Sequence, residues 1–451
     1  MFRSRPFSLA ALLLFAPAAL AQQQPFVSRD VTRDIDPSIA RAIATTPAID
    51  NHAHPMLSPP DDAADRNFDA LPVDNMAPQT DPIAWRTDWP AQHDAWLAIY
   101  GVDLQAPLTP DEAKQLDAAR ARVKAREGKF YSQYILDKSN IATMLANRVS
   151  MGNGVQPPRF LWVPYDDALL FPLNNTALAD TPDRAQFFPL EEKVFSGYMK
   201  AAGLTTLPAT LDRYIARLVL PTLHRQKEGG AVAVKFELAY LRPLDISNPT
   251  HEQAAAAYAQ FVLRGKVTTT EYKALQDYLF HIIARECGQL SLAIHLHGMS
   301  GGGRYFSIAG ANPLNLEPLL NDVSLKDTNF VLLHGGWPFV HEAGSMLQKP
   351  NFYLDISQQA LSIPARTLST WLREWLELYP EKVLFGTDGY PFSASLGWEE
   401  STWLAARNAR EALGLALTGM MRDGEIIPAR AAQLAHMVLH DNAAALYHLS
   451  Q

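Results

Sequence analysis

Eight short apolar runs, separated by turns and helical patterns, constrain this chain more than any other feature. They read AIDNHAH (48–54), IATMLAN (141–147), RFLWVPY (159–165), AVAVKFELAY (231–240), LAIHLHG (292–298), NFVLLHGG (329–336), NFYLDIS (351–357) and VLFGTDGY (383–390). Several are near-continuous in apolar residues, as strands buried on both faces are. Between them lie helical patterns such as TTTEYKALQDYLFHIIARECG, where Thr268 and Glu271 have capping-box spacing and Gly288 is the expected stop. Repeated strand-then-helix alternation predicts an α/β fold, a (β/α)8 barrel of the TIM type.

The spacing is uneven. Ile141 follows the start of the first run by about 90 residues, where a plain βα unit takes roughly 30. We therefore expect one barrel domain over 22–451 with helical insertions at about 57–135 and 172–228, placed where they roof the strand C-termini. The first contains TPDEAKQLDAARARVKAREG, a charged helix whose charges read as a solvated face. The AAAAYA run reads as helix.

The chain opens MFRSRPFSLAALLLFAPAALAQQQ. Basic residues, a short apolar core and the small-residue pattern Ala19-Leu20-Ala21 predict a cleaved signal peptide over 1–21 and a periplasmic or secreted protein. The apolar stretch is short for a bilayer span, and the mature chain offers no other candidate. A formal charge of −8 and the lack of a lysine-arginine run give no footprint for nucleic acid. Cys287 is the sole cysteine, so no internal disulfide forms, and its helical context reads as a buried structural thiol.

Candidate chemistry gathers at the strand ends. His52 and His54 close the first run; a strand points such i, i+2 residues to one side, so the pair suits chelation of one ion. Lys235, His295, His297, His334 and Asp388 lie within or at the ends of later runs, and in a parallel barrel those ends converge on one mouth. Neutral imidazoles and a carboxylate suit a divalent ion of the zinc or manganese kind, which brings the pKa of bound water toward neutrality. Asp388 combines metal binding with proton shuttling. Lys235 is out of place beside a dication: it is either carboxylated by carbon dioxide, giving an anion that can bridge two metals, or paired with an acid such as Glu237.

Tyr240 and Arg242 follow Lys235, and an arginine there suits a substrate carboxylate. Arg304 and Tyr305, in the loop after His297, and Trp337, beside His334, are further candidates for shaping the substrate pocket. Asp355 is placed to reach the same mouth. Gly301, Gly302 and Gly303 read as a mouth loop, because no Walker lysine follows. His93, His224, His251, His281, His341, His436, His440 and His448 fall in helical or loop contexts and are assigned no chemistry.

In this order and placement the motifs resemble the amidohydrolase superfamily, in its amidohydrolase-related branch of metal-dependent barrel enzymes. The resemblance runs through AVAVKFELAYLR, GANPLNLEPLL, TNFVLLHGGWPF, YLDIS, EKVLFGTDGYPF and HDNAAALYHL, most of the mature chain. It implies metal ligands at His52, His54, Lys235, His297, His334 and Asp388, one or two ions, and a small-molecule substrate. By the family pattern His297 is the fifth-strand ligand and His295 a supporting or substitute group near the substrate. In mononuclear relatives the histidine corresponding to His334 acts on substrate instead of metal. The resemblance implies a hydrolase using metal-activated water on an amide, ester or related bond. Two alternatives stand beside it, a metal-dependent decarboxylase or carbon-carbon lyase and a non-catalytic metal-binding homologue.

Overall fold

The computed structural model describes residues 31–71, 82–86, 88–299 and 301–449. The expected leader, 1–21, lies outside them. All eight apolar runs form strands: β1 (Ala48–Ala53), β2 (Ile141–Asn147), β3 (Phe160–Val163), β4 (Ala233–Phe236), β5 (Ala293–His297), β6 (Phe330–Leu333), β7 (Phe352–Asp355) and β8 (Val383–Leu384). Parallel ladders join β1-β2-β3 and β4-β5-β6-β7-β8 in sequence order.

Two seams close the ring. Between β3 and β4, Val232 N donates to Trp162 O (3.1 Å) and Lys235 N to Pro164 O (2.7 Å), with parallel bridges at Trp162/Ala231 and Tyr165/Lys235. Between β8 and β1, Asn51 N donates to Phe385 O (3.0 Å), Asp388 N to His52 O (2.8 Å) and His54 N to Gly389 O (2.8 Å). The result is the expected (β/α)8 barrel.

Period-2 alternation divides each strand between the helices outside and the barrel interior. The interior floor is a layer of Ile49, Leu145, Val163, Ala233, Ala293, Val331, Leu333 and Leu384, packed with Ala443, Ala444, Leu446 and Tyr447 from the end of the chain. Small side chains at 233 and 293 make room for this plug. Polar residues appear only above it, so the sequence of each strand sets the depth at which chemistry begins.

The first insertion supplies helices Gln92–Tyr100, Pro110–Glu127 and Tyr131–Lys138, and the second begins with helix Pro182–Ala201. The charged helix 110–127 is not a purely solvated face. Arg120 reaches the buried Glu400 at 2.5 Å and Lys124 lies 3.9 Å from Glu399, tying the insertion to the barrel. Among the described residues no helix is long and apolar enough to cross a membrane.

Helix Thr269–Leu290 starts at the predicted capping box on Thr268, but it does not stop at Gly288; Ser291, in the left-handed region, is its C-cap. Gly288 serves close packing. A Cβ there would meet Thr328 Oγ1 at 2.7 Å and the Asp327 carbonyl oxygen at 3.2 Å, and Thr328 cannot retreat because its hydroxyl bonds Ala284 O at 2.7 Å. Gly288→Ala gains ~1 kcal/mol of helix propensity yet forces overpacking that costs about 1–3 kcal/mol. We expect a lower urea midpoint for Gly288→Ala; an unchanged or higher midpoint would contradict the packing role.

Candidate functional site

Above the floor, the strand ends bring His52, His54, Lys235, Glu237, Tyr240, His297, His334 and Asp388 around one cavity, joined by Asp69, Gln358, Tyr390 and Phe392. The tightest group is His52, His334 and Asp388, whose ligating atoms all lie within 4.8 Å of one another. His52 Nε2 is 3.1 Å and His54 Nε2 3.3 Å from the same oxygen, Asp388 Oδ1. His334 Nδ1 lies 3.9 Å from Asp388 Oδ2.

The backbone works to aim these groups. His334, Gln358 and Asp388 have φ of 66°, 52° and 55°, a left-handed conformation uncommon for side chains other than glycine and typical of sites where position outweighs local stability. The His334 amide is held by Asp355 Oδ1 (2.8 Å) and its Nδ1 meets Ser357 Oγ (2.9 Å). Asp355 also accepts from Ser357 Oγ (2.6 Å) and from Asn51 Nδ2 (2.7 Å). It therefore supports the mouth from below.

Three observations fit a cation here. First, the spacings of 3.1 and 3.3 Å match the separation of about 3.3 Å between tetrahedral ligands held roughly 2.0–2.1 Å from one ion. Second, His54 Nδ1 lies 3.1 Å from Phe68 O; donating there leaves Nε2 with a lone pair toward Asp388. Third, His52 Nε2 and Asn147 Oδ1 are both buried without a hydrogen-bond partner, while Asn147 Nδ2 sits 2.6 Å from His52 Nδ1. Turning that amide over lets its oxygen accept the Nδ1 proton, which frees the Nε2 lone pair and resolves both orphans once a cation is present.

Electrostatics point the same way. Burial, with the Lys235 charge, holds His52 well below the ordinary imidazole pKa and brings His297 to about 3. Burial likewise depresses His334. Burial opposes charge on His54 as well, but the Asp69 and Asp388 carboxylates outweigh it. Burial disfavours ionised Asp388, yet the surrounding histidines hold it well below the usual carboxylate range. Burial lowers Lys235, against the pull of Glu237 and other acids. Neutral His52, His297 and His334 rings, an ionised carboxylate and an amine shifted toward neutrality make a metal-ready donor set, and His54 gives up its proton when a cation binds.

Other candidates fall elsewhere. His295 sits one layer below the cavity: its Nε2 is 2.7 Å from the Tyr447 hydroxyl, which in turn donates to Asn51 Oδ1. That places it on the terminal plug and away from substrate. Arg242 is spent on the interior of helix 269–290, with Nη2 2.6 Å from Asp277 Oδ1 and Nη1 2.9 Å from Gln276 Oε1, so it cannot fork onto a substrate. Trp337 is 36% exposed and outside the cavity lining. Arg304 and Tyr305 are exposed on the mouth loop. Gly301 of that loop lies against the Tyr240 ring, where a Cβ would come within 2.4 Å. His297 lines the cavity with Nε2 2.8 Å from Met299 O, leaving Nδ1 as the nitrogen with a lone pair.

Sequence reasoning missed Asn147 and Tyr165, the latter with its hydroxyl 3.0 Å from His54 Nδ1. Both end a predicted strand run, so the strand-end rule that found the histidines reaches them too. Tyr390 ends the VLFGTDGY run and falls under the same rule, whereas Asp69, Gln358 and Phe392 come from loops and carried no signal.

The family model described as Amidohydrolase matches residues 204–449, more than half of the chain. Protein fluG of Emericella nidulans is 26% identical over 438 residues, covering 92% of this chain and 47% of the relative; the chain spans about half the length of this curated relative. Among solved structures, uronate isomerase of Thermotoga maritima is similar at a TM-score of 0.60 and 14% identity, covering 93% of this chain and 99% of that one. A Lactobacillus casei protein described as a metal-dependent hydrolase gives 0.58 and 17%, covering 91% and 97%. At such identities these two likenesses establish the barrel fold alone.

Behind Lys235 the site is backed by further buried acids. Burial raises Asp166 to about 7, against the hydrogen bonds of its partners; Oδ1 accepts from Gln226 Nε2 at 2.7 Å and Oδ2 has no partner. An unfolded Asp166 loses its proton near pH 4 and the folded one near 7, so in that window the folded state binds more protons and stability falls as pH rises. Asp166→Asn should flatten the decline in urea midpoint between pH 5 and 8; an unaltered slope would contradict a buried, protonated Asp166.

Proposed function

The chain belongs to the amidohydrolase family, and from that premise we propose that it is a metal-dependent hydrolase acting on an amide, ester or related bond of a small molecule. The observation that carries this reading is the meeting of two imidazole nitrogens on one Asp388 oxygen, 3.1 and 3.3 Å away, with His334 beside them. His52, His54, His297 and Asp388 would hold an essential zinc or manganese ion, and Lys235 and His334 would complete a second position or assist the reaction. A divalent cation in that position supplies a Lewis acid that acidifies water and polarises a carbonyl.

The protein's own groups supply the rest. Asp388, held ionised by its histidine neighbours, accepts the proton of the attacking water and delivers it to the leaving nitrogen or oxygen. Phe68 O and Asn147 fix the orientation of His54 and His52, so no ring reorients during turnover. His334, whose Nδ1 is tied to Ser357, presents its other edge to the substrate or the ion. Burial lowers the Lys235 pKa, which favours the neutral amine that carbamate formation with carbon dioxide requires. Export is part of the proposal, on the signal-peptide pattern expected over 1–21; an exported protein whose N-terminus is Gln22 is the expected result, and one that keeps residues 1–21 would contradict it.

Two measurements test the reading. Turnover in oxygen-18 water should place the label in product without release of carbon dioxide; carbon dioxide release without label would replace hydrolysis by decarboxylation. Metal analysis of wild type and Lys235→Ala should show two ions falling to one or none if the carbamate bridges. One ion in both would contradict a bridging Lys235.

A further inference from the structure

The cavity at the histidine-aspartate cluster has about 30 Å³ of solvent-accessible space, enough for a water or two. No substrate body fits there. Beside it lies a much larger cavity of about 730 Å³, within the range of small-molecule sites. Asp69 lines both spaces.

The walls of the larger cavity come from the parts of the chain that a plain barrel lacks. Phe68 belongs to the first insertion, Leu190 and Val194 to helix 182–201 of the second, and Met56, Val149 and Pro391 to the loops after β1, β2 and β8. These walls are largely apolar, with the polar groups of Arg66, Asn67, Asp69 and Lys193 also on the lining. They are also the residues that aim the site: Phe68 O is the partner of His54 Nδ1 at 3.1 Å. Tyr198, another wall residue, donates its hydroxyl to Tyr165 O, and the Tyr165 hydroxyl lies 3.0 Å from His54 Nδ1. A group lodged in the cavity therefore rests directly on the supports of His54, with Asp69 as the polar neck between apolar body and reacting bond.

We propose that this cavity is the substrate-selecting subsite, and that it takes the hydrocarbon chain or ring of an amide or ester whose scissile bond reaches past Asp69 to His52, His54 and Asp388. The inference rests on the hydrolase reading for the position of the reacting bond, and on the two cavities and their shared wall for the rest. Asp69 is then a positioning residue that accepts a hydrogen bond from an N–H or O–H flanking the scissile bond.

Gly197 provides a clean test. It lines the cavity from helix 182–201, and a Cβ there meets nothing within 4 Å, so a side chain can leave the backbone at this point and Gly197→Trp places an indole at the cavity. Val194→Asp, which puts a charge on the wall, is the second variant. The metal-loaded proteins are titrated with acetohydroxamate and octanohydroxamate, and each is also melted with and without octan-1-ol. For the wild type we expect hydroxamate affinity to rise by up to about fourfold per methylene (~0.8 kcal/mol), and octanol to raise the melting temperature. Both variants should keep acetohydroxamate binding and lose the chain-length gain and the octanol shift. Equal affinity for both hydroxamates in the wild type, or an octanol shift that survives in both variants, overturns the subsite. Failure of both hydroxamates to bind while octanol still separates wild type from variants overturns the metal-site reading and leaves the apolar cavity standing.

Discussion

Asp388 N donating to His52 O, and His54 N to Gly389 O, are the two backbone hydrogen bonds on which the rest of the site depends. They lock the last strand of the barrel onto the first. Closing the ring there is what sets a carboxylate near the end of the chain against two imidazoles near its beginning, with no loop free to adjust the distance. The left-handed conformations at His334 and Asp388 each cost of order 1–3 kcal/mol. They persist because the seam, the Asp355 hydrogen bonds and the packed floor leave the chain no cheaper alternative.

The polar content of the mouth follows the same logic. Asp50 and Asp355 are fully buried, and burial raises them to about 7 and about 6 despite hydrogen bonds from Thr387, Ser357 and Asn51. A protein optimised for stability alone would not stack such groups under four histidines and a lysine. Here each acid orients a neighbour: Asp50 holds the Thr387 amide at 2.9 Å, one residue before Asp388, and Asp355 holds His334. The polar layer sits on the apolar floor packed with Tyr447. In the proposed reading, the insertions after the first and third strands select what else enters.

Much of this was legible in the sequence. All eight strands were, because strands buried on both faces leave unbroken apolar runs, and so was the gathering of the candidate residues around one cavity, because parallel strands deliver their C-terminal residues to one rim. Depth was not. His295 and His297 share one face of β5, and only the Tyr447 plug decides that the former is support and the latter cavity wall. Arg242 read as a substrate group because its partners, Gln276 and Asp277, lie on a helix whose rotation about the barrel no local pattern encodes. Gly288 looked like a helix stop, whereas the close approach of Thr328 explains it. Asp69 and Gln358 had no periodic context at all, being placed by loops whose course follows from tertiary packing.

The central claim is that the protein holds a divalent cation between the imidazoles of β1 and the carboxylate after β8. X-ray absorption at the edge of the metal that copurifies with the protein tests it most directly. The account predicts nitrogen and oxygen neighbours at about 2.0–2.1 Å with the outer-shell pattern of two or more imidazoles, and loss of that pattern in His52→Ala and in Asp388→Ala. A copurifying metal whose spectrum is the same in all three proteins, or wild-type protein that holds no zinc or manganese even when supplied with it, would contradict the account.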